Sequence, residues 1–353
     1  MATKYVCNIA INDTTSSQIK YCRILCVYFM IIVHLPPYIS DAHIPAFFFP
    51  IKIVFYDVFG RASVTAMSFV SGFLIYFSLL ELSWNKIVVR RFKKLIIPMA
   101  FWNFAMIVFS IIVFLFLGRT LPAYENVRAL NLHEILFNSI FSLNNLAASG
   151  TLSFIRDLFV CSVISTPLAF LIKRFSWFVI AALLIIYLTI SFEPIVFRGS
   201  IFIFFALGMV VAQEIGHLKV STLLRCIYVV VICVVFAIEF GLFSEFYMYD
   251  LLKRAAIGLF FLDLSFYLMT VLKIRMVDSF SGATYLIYLS HDIAFMILWG
   301  VWNIFVGKDI TPVYLLFFFL VPLSWFFVVK HLLRIFKFLP AFGQVLIFGK
   351  VRG

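Results

Sequence analysis

The sequence predicts an all-α polytopic membrane protein of about ten transmembrane helices, with both termini cytoplasmic. Three observations carry that reading. Of 353 residues, 64% are hydrophobic and only 12% charged, with mean hydropathy +1.11. No soluble domain could hide that much apolar surface, so lipid is the solvent for most of it. The apolar residues fall into runs of membrane-crossing length, and a 19% aromatic content suits lipid-facing surface and interface belts. The basic residues cluster in short loops beside those runs, the positive-inside pattern. The net charge of +12 is thereby accounted for and is no signal for nucleic acid.

The polar start from Thr3 to Lys20 has no apolar core or small-residue cleavage site, so the first membrane helix is expected to act as its own insertion signal. Residues 1–20 are read as a cytoplasmic lead-in, 21–335 as the transmembrane domain and 336–353 as a basic cytoplasmic tail. The expected spans are 21–39, 58–80, 95–117, 152–172, 177–192, 199–213, 221–241, 255–272, 282–303 and 311–330. Segment 135–148 is short and broken by Asn144 and Asn145, and is read as interfacial or re-entrant. With that segment not crossing, Lys86–Lys94, Lys173–Arg174, Lys219–Arg225, Lys273–Arg275 and the tail all face inward. Prolines 36, 37, 45 and 50 predict an irregular first outer loop. The longest outer stretch, Gly118 to Gly150, is either a lid or acceptor platform or a plain surface loop.

The first span carries Arg23 and His34, eleven residues apart. At about 100° and 1.5 Å per residue both face the same way, about 16 Å apart along the axis. An arginine at the interface can snorkel, but a histidine at depth cannot, and it is either functional or hydrogen-bonded to a neighbouring helix for packing. Ser71-Gly72-Phe73 on the second span and His291-Asp292 on the ninth fall at a similar depth. Glycine there allows close approach of a helix or a ligand.

Arg90, Arg91, Lys93 and Lys94 lead into the third span. They serve topology and anionic lipid, or form a phosphate-binding rim. Arg156 and Asp157, with Arg61 also on the outer side, suit an acceptor vestibule or an interhelical pair. Adjacent residues point about 100° apart, so Arg156 and Asp157 are expected to find separate partners. The cysteines show neither metal spacing nor a disulfide framework, and no metal is expected. His43, His133, His217 and His331 read as surface residues. No phosphate-binding glycine loop, dinucleotide fingerprint, zinc-protease motif or nucleophile elbow is present.

These pieces together resemble the integral-membrane acyltransferase-3 family, bacterial O-acyltransferases of polysaccharides and cell surfaces. Arg23 through His34 is similar to the family's arginine, ten residues, histidine pattern. GRASVTAMSFVSGFLI (60–75), RRFKKLIIP (90–98), LSFIRDLFV (152–160), FFALGMVVA (204–212) and YLIYLSHD (285–292) resemble later family segments in the same order. There are departures. Lys94 stands where an arginine is usual, keeping the charge but losing the fork that grips phosphate. Ser153-Phe154-Ile155 replaces the usual Trp-Phe-Leu. No extracellular hydrolase-like domain accompanies the helices, so any second transfer step is expected to need another protein.

The resemblance implies acetyl-CoA, or another acyl-CoA, as cytoplasmic donor. It implies a hydroxyl of a cell-surface polysaccharide or lipid-linked glycan as acceptor, in a bacterial inner membrane. Arg23, Arg90, Arg91 and Lys94, with Gly72 and Phe73, would hold the CoA. His34 would act as general base or transient acyl carrier. Ser71 would stabilise the oxyanion, and His291 or Asp292 would orient His34 or the acceptor. Arg61, Arg156 and Asp157 would face the acceptor. The competing readings are a flippase for a lipid-linked sugar and an inactive scaffold of the same fold. A transporter more often shows two related halves, which this sequence lacks. Oligomeric state is left open.

Overall fold

The computed structural model describes residues 12–37, 44–128, 130–143, 147–190, 192–193, 195–241, 249–272, 280–336 and 338–349. Among them the regular elements are all helical. Lys273, Arg275, Lys337, Lys350 and Arg352 of the charge pattern lie outside the described residues, as do His43, Asn144 and Asn145.

Helix α1 spans Asp13–Ile32 rather than 21–39. It starts early because Asn12 caps it, accepting the Thr15 N–H at 2.7 Å. Residues 13–20 of the expected polar lead-in are therefore its first two turns, and residues 1–11 of it lie outside the described residues. Gln18 is buried there, and its amide donates to the carbonyls of Leu218 and Leu262 at 3.1 and 2.9 Å. The helix stops early because Pro36 and Pro37 supply no N–H, and Leu35 is disfavoured from helix by the proline after it. Its end tightens, with His34 N–H to Ile31 O at 3.0 Å and Leu35 N–H to Ile32 O at 3.1 Å. His34 thus stands on a tapering last turn, not inside a helix.

Helix α2, Arg61–Glu81, is preceded by helical turns over Phe49–Lys52 and a wide π-helical stretch over Ile53–Gly60. The irregular loop expected from Pro45 and Pro50 is accordingly shorter, because a proline in the first turn of a helix costs no hydrogen bond. Helix α3 (Trp84–Arg91) runs through a π-helical stretch, Phe92–Ile96, into α4 (Ile97–Leu117). Between α4 and the next long helix the chain forms α5 (Pro122–Arg128) and short turns over Leu132–Glu134 and Ile135–Ile140. None of these is long enough to cross a bilayer. The remaining helices are α6 (Ser153–Phe175), α7 (Trp177–Thr189), α8 (Gly199–Glu214), α9 (Thr222–Glu239), α10 (Tyr249–Thr270), α11 (Thr284–Phe305) and α12 (Tyr314–Phe336). A final helix, α13 (Ala341–Phe348), stands where a basic tail was expected, and its Gln344 and Phe348 are buried.

Helical elements stand at all ten expected spans, but among the described residues six stretches are long and apolar enough to cross a membrane. These are Phe49–Leu79, Trp84–Leu117, Gly150–Phe175, Thr222–Glu239, Thr284–Phe305 and Tyr314–Phe336. Helices α7 and α8 are apolar but shorter, while α1 and α10 are long enough but carry more polar side chains. Most of the Phe49–Leu79 stretch is buried, whereas α9 and α12 are mainly exposed, so α2 is central and α9 and α12 are peripheral. Phe116, Phe178 and Phe305 lie on the exposed apolar face that lipid would solvate.

The tightest packing joins α2 to α8. A methyl group on Gly72 would sit 1.9 Å from the Phe205 carbonyl oxygen, and one on Gly208 would sit 2.0 Å from that of Phe69. Two glycines thus let two backbones touch, as small residues do between membrane helices. At one end of the bundle, Ser176 donates to Glu214 at 2.8 Å beside Lys173 and Arg174, and this is called the basic end. At the other, Arg254 donates to the Arg61 carbonyl at 3.0 Å and the Arg198 N–H to Asp157 at 3.3 Å, and this is called the far end.

Candidate active site

Helix α11 places His291 and Asp292 beside the end of α1. The His34 and His291 rings have centroids 5.4 Å apart, tilted by 50°. The sequence's expectation that these residues share a layer therefore has its geometric counterpart. His291 is fully buried, with Nδ1 2.6 Å from the Tyr288 carbonyl one turn back. That contact is a hydrogen bond when Nδ1 carries the proton; Nε2 is buried 3.1 Å from Asp292 Oδ1.

Asp292 is held from its other side. Its Oδ2 accepts from the hydroxyls of Ser149 and of Thr151, the latter at 2.7 Å. The Ser149 N–H donates to Asn103 Oδ1 at 3.1 Å, and Asn103 Nδ2 donates to the Ile140 carbonyl at 2.9 Å. The Tyr288 hydroxyl donates to the Thr151 carbonyl. Sequence reasoning named His34, His291 and Asp292 but missed Ser149, Thr151, Asn103 and Tyr288. The loop read as lid or platform supplies Ser149, the residue just after it supplies Thr151, and hydroxyls in a loop carry no sign of their depth.

A cavity of about 240 Å³ leads toward this site from the basic side chains. Arg23, Arg91 and Lys94 line one part of it and Tyr288 another. The Tyr288 ring stacks 5.6 Å from the ring of His291. Arg23, Arg91 and Lys94 also line an adjoining cavity of about 370 Å³, together with Arg90 and Glu81. The basic residues predicted to act together are thus brought together. Lys94 is fixed through its backbone, its carbonyl accepting from Tyr285 OH at 2.8 Å. The chain packs Gly349 against that same backbone, with no room for a side chain, and Phe348 lines the 240 Å³ cavity.

Ser71 also lines that cavity, but its hydroxyl donates to the Met67 carbonyl at 2.8 Å within its own helix. Gly72 and Phe73 are not brought to it. Gly72 is occupied by the Phe205 backbone, and Phe73 is fully buried in the core. Of the two uses a glycine had at this position, the structure takes helix contact.

Arg156 and Asp157 behave differently from the expectation that adjacent charges seek separate partners. Arg156 Nη1 donates to Asp157 Oδ1 at 2.8 Å, because a long guanidinium folds back across the angle between neighbouring positions. Both are buried. Together they grip the turn before α8. Arg156 donates to the Ile195 carbonyl at 2.7 Å and lies 4.0 Å over the Phe197 ring, while Asp157 accepts the Phe197 and Arg198 N–H groups at 3.2 and 3.3 Å. Arg61 is exposed and 3.6 Å from Asp57. None of these three side chains lines the cavity at the far end. That cavity, about 570 Å³, has Arg198, Arg254, Asp250, Ser200, Tyr187 and Phe192 among its walls. Tyr288, stacked on His291, lines the 240 Å³ cavity, and Arg198 lines the 570 Å³ one.

The arrangement offers imidazoles that can pass a proton, a carboxylate to orient one of them, and separate cationic approaches on two sides. Comparison with the curated proteins and with the solved structures finds no match. A family model described as an acyltransferase domain, Acyl_transf_3, matches residues 16–330, nearly the whole chain and every histidine, carboxylate and basic residue of the site. The chain belongs to the acyltransferase-3 family and is a multi-pass membrane acyltransferase.

Proposed function

We propose that the protein moves an acyl group, acetyl in the simplest case, from acyl-CoA to a hydroxyl of a cell-surface polysaccharide or lipid-linked glycan. Ten helices would cross a bacterial inner membrane, with both termini and the basic end in the cytoplasm. The observation that carries the reading is the cavity that joins Arg23, Arg91 and Lys94 to Tyr288 beside the histidine pair. Three cations suit the phosphates of CoA, and the narrow cavity suits its pantetheine arm.

His34 accepts the proton of the acceptor hydroxyl as its oxygen attacks the thioester carbonyl. The carbonyl oxygen takes the negative charge. As it collapses, the C–S bond breaks and the leaving thiolate recovers the proton from His34. His291 and Asp292, braced by Ser149 and Thr151, position His34 and offset its transient positive charge. In the covalent variant of this route, His34 itself takes the acyl group and hands it to the acceptor.

The test supplies radiolabelled acetyl-CoA to the cytoplasmic face of inverted membrane vesicles carrying the wild type, His34→Ala or Arg23→Ala. Label entering a glycolipid or polysaccharide fraction, lost in His34→Ala and weakened in Arg23→Ala at low acetyl-CoA, supports the reading. If no label moves and the host's surface glycan is the same with His34→Ala, acyl transfer is not its function. Brief incubation without acceptor, followed by a hydroxylamine-sensitive label on the protein, separates the covalent from the direct route.

A further inference from the structure

We propose that Arg198 recognises the acceptor, and that the acceptor carries an anionic group, carboxylate or phosphate, near the hydroxyl to be acylated. The inference rests on the acyltransferase reading above and adds the acceptor's chemical class.

The cavity of about 570 Å³ at the far end is walled by aromatic rings, including Tyr187, Phe192 and Phe197, and by polar groups. Rings with interspersed polar atoms suit a sugar. Its charges are not equivalent. Arg254 is already engaged, donating to Asp250 at 2.7 Å and to the Arg61 carbonyl at 3.0 Å. The side chain of Arg198 has no hydrogen bond or ion pair among the described residues; its backbone is held, the N–H by Asp157 and the carbonyl by the Ile201 N–H. An unpaired guanidinium on a cavity wall is a ready fork for a carboxylate or a phosphate.

The support beneath Arg198 strengthens the case. Arg156 and Asp157 are both buried, and burying charge is costly. Between them they bond Ile195, Phe197 and Arg198, the turn that presents this side chain.

The test uses the full-length protein in its host membranes, with the native acceptor and labelled acetyl-CoA. Glucose, glucuronate and glucose 1-phosphate are each added as competitors, against wild type, Arg198→Ala and Arg198→Lys. The expectation is that an anionic sugar inhibits wild type at least about tenfold more strongly than glucose does, and that this preference is lost in Arg198→Ala and partly kept in Arg198→Lys. Glucuronate acting alone identifies a uronic acid, and glucose 1-phosphate acting alone identifies a phosphate. In the same variants KM for the native acceptor should rise about tenfold or more in Arg198→Ala, with KM for acetyl-CoA unchanged. Equal inhibition by all three sugars, or an unchanged acceptor KM in Arg198→Ala, overturns the proposal while leaving acyl transfer intact. Absence of His34-dependent transfer in the wild type is instead the failure of the underlying function.

Discussion

The ring of His34, at the end of α1, lies 5.4 Å from the ring of His291, in the middle of the sequence's ninth apolar run. The pair is asymmetric. Nδ1 of His291 faces the Tyr288 carbonyl and its Nε2 faces Asp292, so its orientation is fixed. His34 stands on a tapering turn just beyond Ile32, on a different element from its partner. His34→Ala is therefore expected to lower the transfer rate by about 10²–10⁴-fold, the usual worth of a general base. His291→Asn should cost less. Initial rates in membranes, with circular dichroism to establish folding, measure both.

Asp292 is expected to act through its neighbours. Asp292→Asn should lower kcat with little change in KM for acyl-CoA, because the basic cavity walls are untouched. Ser149→Ala removes one of two hydroxyls on the carboxylate and should cost about 1.5–3 kcal/mol of stability. Thermal unfolding in detergent reads the second effect, and steady-state kinetics the first.

Arg91 and Lys94 are expected to govern donor affinity. Arg91→Ala should raise KM for acyl-CoA with a smaller effect on kcat, and added salt should weaken the wild type's advantage. Lys94→Arg should lower that KM, since the guanidinium restores a fork for phosphate. Titration with acetyl-CoA at two ionic strengths checks all three.

At the α2–α8 crossing a single methyl is too much. Gly72→Ala places it 1.9 Å from a carbonyl oxygen and should destabilise by about 1–3 kcal/mol. Gly300→Ala, in a helix with nothing within 4 Å of the new atom, should be neutral or stabilising by about 0.5–1 kcal/mol. Paired melting curves in one detergent compare them.

The brace under Arg198 should be strict about charge. Asp157→Ala removes the buried carboxylate beside Arg156 together with its bonds to the Phe197 and Arg198 N–H groups, and breaking a buried ion pair costs about 3–5 kcal/mol in comparable settings. The expected result is a lower melting temperature, with cleavage by a soluble protease increasing near residues 195–198.

Much of this was legible in the chain. Apolar runs announce helices wherever lipid is the solvent, so the central portions of α4, α6, α9, α11 and α12 fall where hydropathy put them. The start of α1 was not legible, because Thr15 and Gln18 read as solvent-facing until the partners of Gln18, the Leu218 and Leu262 carbonyls, are known. Helix α13 was hidden by basic residues around it, although Phe348 is buried. At the site, His34, His291 and Asp292 stand out because ionisable groups in apolar runs are costly. Ser149, Thr151 and Asn103 are cheap residues whose importance comes only from what they touch. Nothing in the sequence sets Arg198 apart from other cations; that its side chain has no hydrogen bond or ion pair among the described residues shows only in the structure.

The glycine contact between α2 and α8 also bears on how the molecule can move. Where a carbonyl oxygen rests against a bare Cα, neither helix can roll or slide without driving its neighbours' side chains into backbone. These two helices must travel as one piece. A rocking of two halves, the motion by which a transporter exposes a site first to one side and then to the other, could not have its seam between these two helices. In the proposed transfer, a donor at the basic end and an acceptor at the far end would meet across this fixed pair, each entering by its own door.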